Sequence, residues 1–355
     1  MRIVPVRLPR NISDGDRHLF EPYTHFRLDE LKVLHLEEIF VTYTGLCLDD
    51  KGLKSESHHN YPEKYQQLVD EALYYYTAAV DNANKLVELD DDNIYVVVHH
   101  PWSGNYWHWM SEAILRVWLV RENAQNLILV LPEHFKNTEF ILSSLMPFQF
   151  KDVYYIPTGK SLLIRNLCLP QIKPICDSYD RDALLAIRNR YLVSVMGEKT
   201  KHAYAYEKVY ISRRKAHRRK VVNEEEVISL LEKFGFVCIT TEDYTFNEEI
   251  MLFSKVRYLI SIHGSGLTNM LFMKEGSSIL ELHKKLTNSN DWHSFAFWYL
   301  ADSLDLAYYH QICEPVNLKS SIFDADYNID LGLLKANVQC MLGIESTVNE
   351  GSIIS

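Results

Sequence analysis

The sequence predicts an α/β protein of two domains, each built on a parallel sheet, facing one another across a cleft. Three observations carry that expectation. Apolar runs of strand length alternate with helical patterns, the alternation falls into two separate series, and 355 residues exceed what one hydrophobic core commonly serves. The composition is globular, 47% apolar and 24% charged. A formal charge of -10 argues against a nucleic-acid partner, because neutralising phosphates needs a cationic face.

Taken in order, residues 30–60 alternate apolar and polar positions and turn at Asp49-Asp50-Lys51-Gly52, which reads as a hairpin. Residues 62–90 read as a helix and an acidic turn. Strands follow at 94–98, 127–131 and 153–156, with helices at 105–120 and up to Leu145 between them. The second series begins with a strand at 209–212 and a helix at 223–234, capped by Asn223 with Glu226 and stopped by Gly235. Strands at 236–240, 258–262 and 278–282 then alternate with helices starting at Thr245, with Glu248 completing a capping box, and at Leu267. A last apolar-periodic segment, about 330–342, has no strand after it and is expected to cross back onto the first domain. The division is therefore 1–190, 191–327 and a C-terminal helical piece, 328–355.

Cys47, Cys168, Cys176, Cys238, Cys313 and Cys340 have no metal-site spacing and read as reduced thiols of a cytoplasmic protein. No apolar run approaches the ~18 residues of a membrane span, and peripheral attachment at the inner face of a membrane stays compatible with the sequence.

Three stretches can carry chemistry. His263-Gly264-Ser265-Gly266-Leu267-Thr268-Asn269 lies between a strand and a helix, where glycines allow close backbone approach and free N–H groups suit a diphosphate. The alternative is a tight turn without a ligand. Ser212-Arg213-Arg214-Lys215, with Arg219 beyond, follows a strand, and guanidinium forks suit phosphate oxygens; a solvated basic loop is the bland counterpart. Glu281 can accept from ribose hydroxyls or pair with Lys284 or Lys285. In the first series, His108, Glu112 and Arg116 stand at i, i+4 and i+8 on one helical face. Glu112 or His108 can act as general base, with Arg116 orienting Glu112 and Asn105 holding an acceptor; a buried polar ladder is the alternative. Trp102, Trp107 and Trp109 offer faces for sugar rings, at least one of them serving the core instead.

Asn-Tyr-Trp-His-Trp-x-x-Glu, Ser-Arg-Arg with a later Arg-x-x-x-Asn-Glu, and His-Gly-Ser-Gly-Leu-Thr-Asn followed by Glu281 together resemble glycosyltransferase family 61, with the hairpin at 38–57 and the stretch 292–309 similar to its bacterial capsular-polysaccharide-type branch. The resemblance covers about 270 residues. Leu115, Ser265 and Glu249 depart from a usual proline, alanine and glutamine. It implies a GT-B fold and inverting, metal-independent transfer from a nucleotide-sugar, UDP-linked, to a hydroxyl acceptor in surface polysaccharide or glycan synthesis. The donor would be held by Arg213, Arg214, Arg219, His263, Gly264, Ser265, Gly266, Leu267, Asn269 and Glu281. Glu112 and His108 would be catalytic, Asn105, Trp109 and Arg116 would serve the acceptor or support the site, and no cofactor or metal is expected. The residues agree on the metal: Asp324-Ala325-Asp326 sits in a late loop and not at a strand end. A dehydrogenase reading fails on the missing third glycine and on arginines where an acidic ribose-binding residue belongs. A non-catalytic carbohydrate- or nucleotide-binding protein is the other alternative.

Overall fold

The computed structural model describes residues 1–197, 206–289 and 291–344. The expected junction near 180–205 and the tail of the C-terminal piece therefore lie partly outside the described residues. The chain forms two compact units, one of residues 1–4, 26–199 and 245–250, the other of 5–25, 200–244 and 251–355. Assigning all of 1–190 to the first domain missed the segment 5–25. Phe20 is fully buried, edge-on to Trp298 at 5.1 Å and to His293 at 4.8 Å. The Trp298 indole donates to the Arg7 carbonyl at 2.8 Å. Aromatic burial outweighs sequence proximity here.

Two short strands, β1 (Arg2–Pro5) and β2 (His25–Leu28), pair with each other. The first unit then holds an eight-stranded sheet of β3 (Val33–Val41), β4 (Cys47–Asp49), β5 (Gly52–Leu53), β6 (Leu86–Leu89), β7 (Ile94–Val97), β8 (Leu127–Pro132), β9 (Asp152–Ile156) and β10 (Ser161–Pro170). Its order is β5-β4-β3-β10-β7-β8-β9, with β6 also beside β10. β10, β7, β8 and β9 run parallel, while β3 and β4 extend the sheet antiparallel. The sheet is mixed where a parallel one was expected. The antiparallel part is the β3–β4 segment, which pairs on β10, a strand whose apolar run is broken by Arg165 and Asn166; both side chains donate to carbonyls at Asp90 and Asp91. The expected hairpin tip is realised between β4 and β5. An earlier turn at Gly45 precedes it, at a left-handed φ of 88° and where a side chain would clash with the His99 carbonyl.

The second unit is a sheet of β11 (Lys208–Ile211), β12 (Val237–Ile239), β13 (Tyr258–Ile262), β14 (Ser278–Lys284), β15 (Ala307–Pro315) and β16 (Tyr327–Asn328) in the order β12-β11-β13-β14-β15-β16. The first five are parallel. Counted along the unit this is the doubly wound order 2-1-3-4-5, which reverses direction between β11 and β13 and opens a crevice at their carboxyl ends. The capping box at Thr245 forms as expected, with the Thr245 amide donating to Glu248 at 2.9 Å, and Gly235 takes the left-handed φ of 79° that ends its helix. Asn223 caps nothing through its side chain. It exchanges hydrogen bonds with the Ile329 backbone, at 2.9 and 3.0 Å.

The helix Leu331–Leu342 is capped by Asp330 and ended by Gly343 at φ 66°. It belongs to the second unit, not to the first as expected. Leu334, Val338 and Met341 are buried with Tyr210, Val227, Ile260 and Leu282 in that unit's core. Each such side chain contributes about 1.5–3 kcal/mol, which the parallel sheet of its own unit is positioned to supply. No described helix is long and apolar enough to cross a membrane.

Candidate active site

In the first unit the helical segment from Tyr106 to Val120 is interrupted by a π-helical turn, Trp109–Ala113. Such bulges re-aim side chains and recur at functional sites. The turn places Glu112 inside the unit with its side chain wholly buried, and three histidines converge on it. His59 Nε2 lies 3.0 Å from Oε1, His100 Nε2 3.0 Å from Oε2, and His108 Nδ1 2.8 Å from Oε2. Burial opposes the Glu112 charge, but His59 and His108 hold the carboxyl well below the usual carboxylate range. His108 alone among these is partly exposed, at 19%. With Nδ1 engaged by a carboxylate, its Nε2 is the ring atom left for a substrate.

The other residues expected here divide clearly. Arg116 is fully buried and donates to the carbonyls of Pro170, Val98 and His99 at 2.6–3.0 Å, so it braces the strand ends and does not orient Glu112. The three-turn face shared by His108, Glu112 and Arg116 is broken by the π turn. Trp109 is also fully buried, its indole donating to Ser144 at 2.8 Å, and has no face for a sugar. Asn105 is exposed and caps the helix by accepting from the Trp107 amide at 2.9 Å. Trp102 and Trp107 flank the His108 ring, at 5.4 and 4.5 Å. His59 and His100 went unnoticed in the sequence because they lie outside the helix; His58-His59 and His99-His100 doublets were the only signal.

In the second unit the reversal point carries the other expected residues. Ser212 and Arg213 follow β11, and His263 and Gly264 follow β13. Arg213 and Arg219 turn inward, and among the described residues no carboxylate lies within ion-pair distance of either. Burial pushes the Arg219 guanidinium down to about 10 and lowers Arg213 as well. Both leave a buried Nε without a partner. Arg219 sits at a left-handed φ of 59° and donates to the His263 carbonyl at 3.0 Å. Uncompensated buried cations are costly unless an anion meets them. Arg214 differs from expectation: its side chain turns to Ser212 at 3.2 Å and toward Glu224 at 3.8 Å. The basic run outside is matched too, with Lys215 on Asp243 and Arg218 on Asp324.

The glycine turn works through space, not through positive φ. Gly264 is extended, and a side chain there would meet Arg213 Nη1 at 2.8 Å. Gly266 has room, its nearest neighbour 3.5 Å away. Ser265 and Gly266 are partly exposed at the start of a 3-10 helix, Ser265–Phe272, whereas Leu267 and Asn269 are fully buried. Glu281 is neither a surface carboxylate nor open to a ribose. It is fully buried, one oxygen 2.5 Å from His263 Nδ1 and the other accepting from the Tyr308 hydroxyl at 2.7 Å.

Three groups bring metal-type donors together: His59, His100 and Glu112; His108, Glu112 and Cys176; and His263, Glu281 and His283. The donor atoms in contact lie 2.5–3.0 Å apart. Ligands about 2.0–2.1 Å from a tetrahedral zinc ion stand roughly 3.3 Å from each other. The His59, His108 and His263 contacts fit direct hydrogen bonds to their carboxylates, while His100 Nε2 approaches Glu112 without forming one.

Both constellations fall largely within residues 106–280, which match the family model described as Glycosyltransferase 61. The match spans just under half of the chain and agrees with the resemblance to that family read from the sequence. The curated relatives include the human Protein O-linked-mannose beta-1,4-N-acetylglucosaminyltransferase 2, 29% identical over 25% of this chain and 16% of its own length. The Drosophila melanogaster EGF domain-specific O-linked N-acetylglucosamine transferase is 34% identical over 21% of this chain and 15% of its own. These relatives are animal proteins, not members of the bacterial branch that the sequence resembles. The chain matches about a sixth of their length.

Proposed function

We propose that this protein is an inverting glycosyltransferase of the GT-B type that moves a sugar from a nucleoside-diphosphate donor, UDP-linked, to a hydroxyl of a glycan acceptor. The observation that carries this reading is the buried Arg219 and the half-buried Arg213 at the reversal point of a 2-1-3-4-5 sheet, each with a buried Nε lacking a partner and, among the described residues, no carboxylate within ion-pair distance. A diphosphate supplies the missing charge, and the Gly264 turn leaves it room beside Arg213. Two fixed guanidiniums take the part a divalent cation plays elsewhere, so no metal is needed for donor binding. The names of the relatives make N-acetylglucosamine the first donor sugar to try, and the resemblance of the sequence to the bacterial branch makes surface polysaccharide the first acceptor class.

His108 takes the acceptor proton, and Glu112 holds the ring with Nε2 outward. Glu112, ranked first by sequence, has no access to a substrate and a carboxylate too acidic to compete for a proton. The deprotonated oxygen bonds the anomeric carbon as that carbon's bond to the diphosphate oxygen breaks; the electron pair stays on the diphosphate, whose charge Arg213 and Arg219 would meet.

Thermal shift across a panel of nucleotide-sugars, then calorimetry on the best of them, tests the reading. Arg213→Ala and Arg219→Ala are each expected to weaken nucleotide binding by about 2 kcal/mol. Unchanged affinity in both variants, or binding abolished by a chelator, overturns it.

A further inference from the structure

The carboxylate–histidine pair behind the anion site remains without a part in that reaction. Glu281 cannot touch a ligand, since its side chain is fully buried and both oxygens are engaged, by His263 and Tyr308. The chain Tyr308–Glu281–His263 therefore ends at one atom, His263 Nε2, on the residue directly before Gly264. Arg219 is tied to the same residue through the His263 carbonyl. We infer that His263 is the neutral-to-cationic contact for the donor diphosphate, that Glu281 and Tyr308 are its positioning residues, and that the site takes up a proton when it takes up the diphosphate. This rests on the donor reading above and goes beyond it.

The electrostatics around the ring are one-sided without a ligand. Burial, then Arg219 and Arg213, push His263 down to about 3. The remaining groups facing it are Glu281 and His283 from β14, with the His283 ring 5.0 Å away, Phe297 at 5.2 Å, and the buried His293, whose ring lies 4.1 Å from His283 and is held neutral by burial first, then by His283, His310 and His263. His283 donates Nδ1–H to the Lys284 carbonyl and is itself held neutral by burial, then by His263, with His310 of β15 adding to this. Only Glu281 favours a charged ring. A diphosphate changes that balance: it meets both guanidiniums and adds negative charge of its own, so the imidazolium is flanked by two anions. Its N–H then points at the oxygen that receives the electron pair when the sugar leaves. A free-state value below the assay pH with a higher bound-state value means affinity rises as pH falls.

Calorimetry with inorganic pyrophosphate and with UDP, in buffers of different ionisation enthalpy near pH 6, reads the number of protons taken up. Wild-type protein is expected to take up more than the ligand's own ionisation supplies. His263→Gln abolishes the excess and weakens pyrophosphate roughly tenfold. Glu281→Gln loses the excess too; should it fail to fold, Tyr308→Phe removes one hydrogen bond from the same carboxylate and is expected to lose part of it. Equal proton numbers in wild type and His263→Gln overturn the inference. If binding still depends on Arg213 and Arg219, only this inference falls; if it is indifferent to both, the donor reading falls with it.

Discussion

Replacing Glu112 by Gln tests the first unit's dyad most directly. The amide keeps the shape but turns one acceptor oxygen into a donor, and every neighbour at 2.8–3.0 Å is a histidine nitrogen. Whichever way the amide sits, at least one hydrogen bond to a buried carboxylate is lost, worth about 1.5–3 kcal/mol. For a unit of this size that lowers the melting temperature by roughly 3–12 °C. The larger effect falls on chemistry, because His108 loses the partner that fixes its tautomer, and turnover is expected to drop ~10²-fold or more. Nucleotide binding, which rests on Arg213 and Arg219, survives. The assay is single-turnover transfer with the donor identified by thermal shift, run beside calorimetric binding of the nucleotide. His108→Ala, truncating a partly exposed ring, should abolish turnover with a smaller loss of stability. Near-normal turnover in His108→Ala would refute the reasoning outright. Turnover lost in Glu112→Gln but kept in His108→Ala would return the base to Glu112.

Gly264→Ala is expected to displace the Arg213 guanidinium, 2.8 Å from the new methyl, and weaken diphosphate binding several-fold, whereas Gly266→Ala leaves calorimetric affinity unchanged. Asp177 is pushed up to about 6, by burial first and then by Glu112. Its neutral form therefore stabilises the fold below the unfolded value, and that stability is lost as pH rises through about 6. Asp177→Asn should raise the melting temperature at pH 8 by an amount worth about 1–2 kcal/mol, after discount for partial exposure, and leave it unchanged near pH 4. Leu334→Ala removes a fully buried side chain from the second unit's core and should cost about 2–5 kcal/mol by denaturant unfolding; a smaller loss would mean that helix is not part of that core.

What the sequence made legible followed from local signals. Strands of the second unit alternate with helical segments adjacent to them in the chain, so 209–282 reads almost correctly. β10 was missed because its apolar run is interrupted at Arg165-Asn166, whose partners lie at residues 90 and 91. The placement of 5–25 and of Leu331–Leu342 depended on burial against residues far along the chain, of which Phe20 gives no local sign. At the candidate sites the motifs located His108, Glu112, Arg213, Arg219 and His263 but not their relations. Helical spacing could not foresee a π turn, and adjacent arginines look alike until one turns inward and the other toward Glu224.

The two histidine–carboxylate pairs share one construction and differ in what surrounds them, and that difference assigns their chemistry. Each carboxylate is fully buried and uses one oxygen to fix a histidine Nδ1, at 2.8 Å for Glu112–His108 and 2.5 Å for Glu281–His263. Around Glu112 the nearest groups are three histidines and Cys176, and against the effect of burial His59 and His108 hold the carboxyl well below its usual range. A firmly ionised carboxylate stabilises a proton arriving on His108, which suits a base. Around Glu281 burial pushes the carboxyl up, while burial, then Arg219 and Arg213, push the His263 ring down. That pair resists charge until an anion arrives, which suits a contact for a departing diphosphate. Titratable pairs driven apart by their surroundings are the physical mark of divided acid–base roles. A bland structural role would predict no such divergence: exchanging the environments, by Arg219→Gln in one unit, should let His263 titrate without any ligand. Nitrogen chemical shifts of that ring, followed against pH with and without pyrophosphate, would show its midpoint rise in the variant. An unmoved midpoint would mean the guanidiniums do not govern the ring.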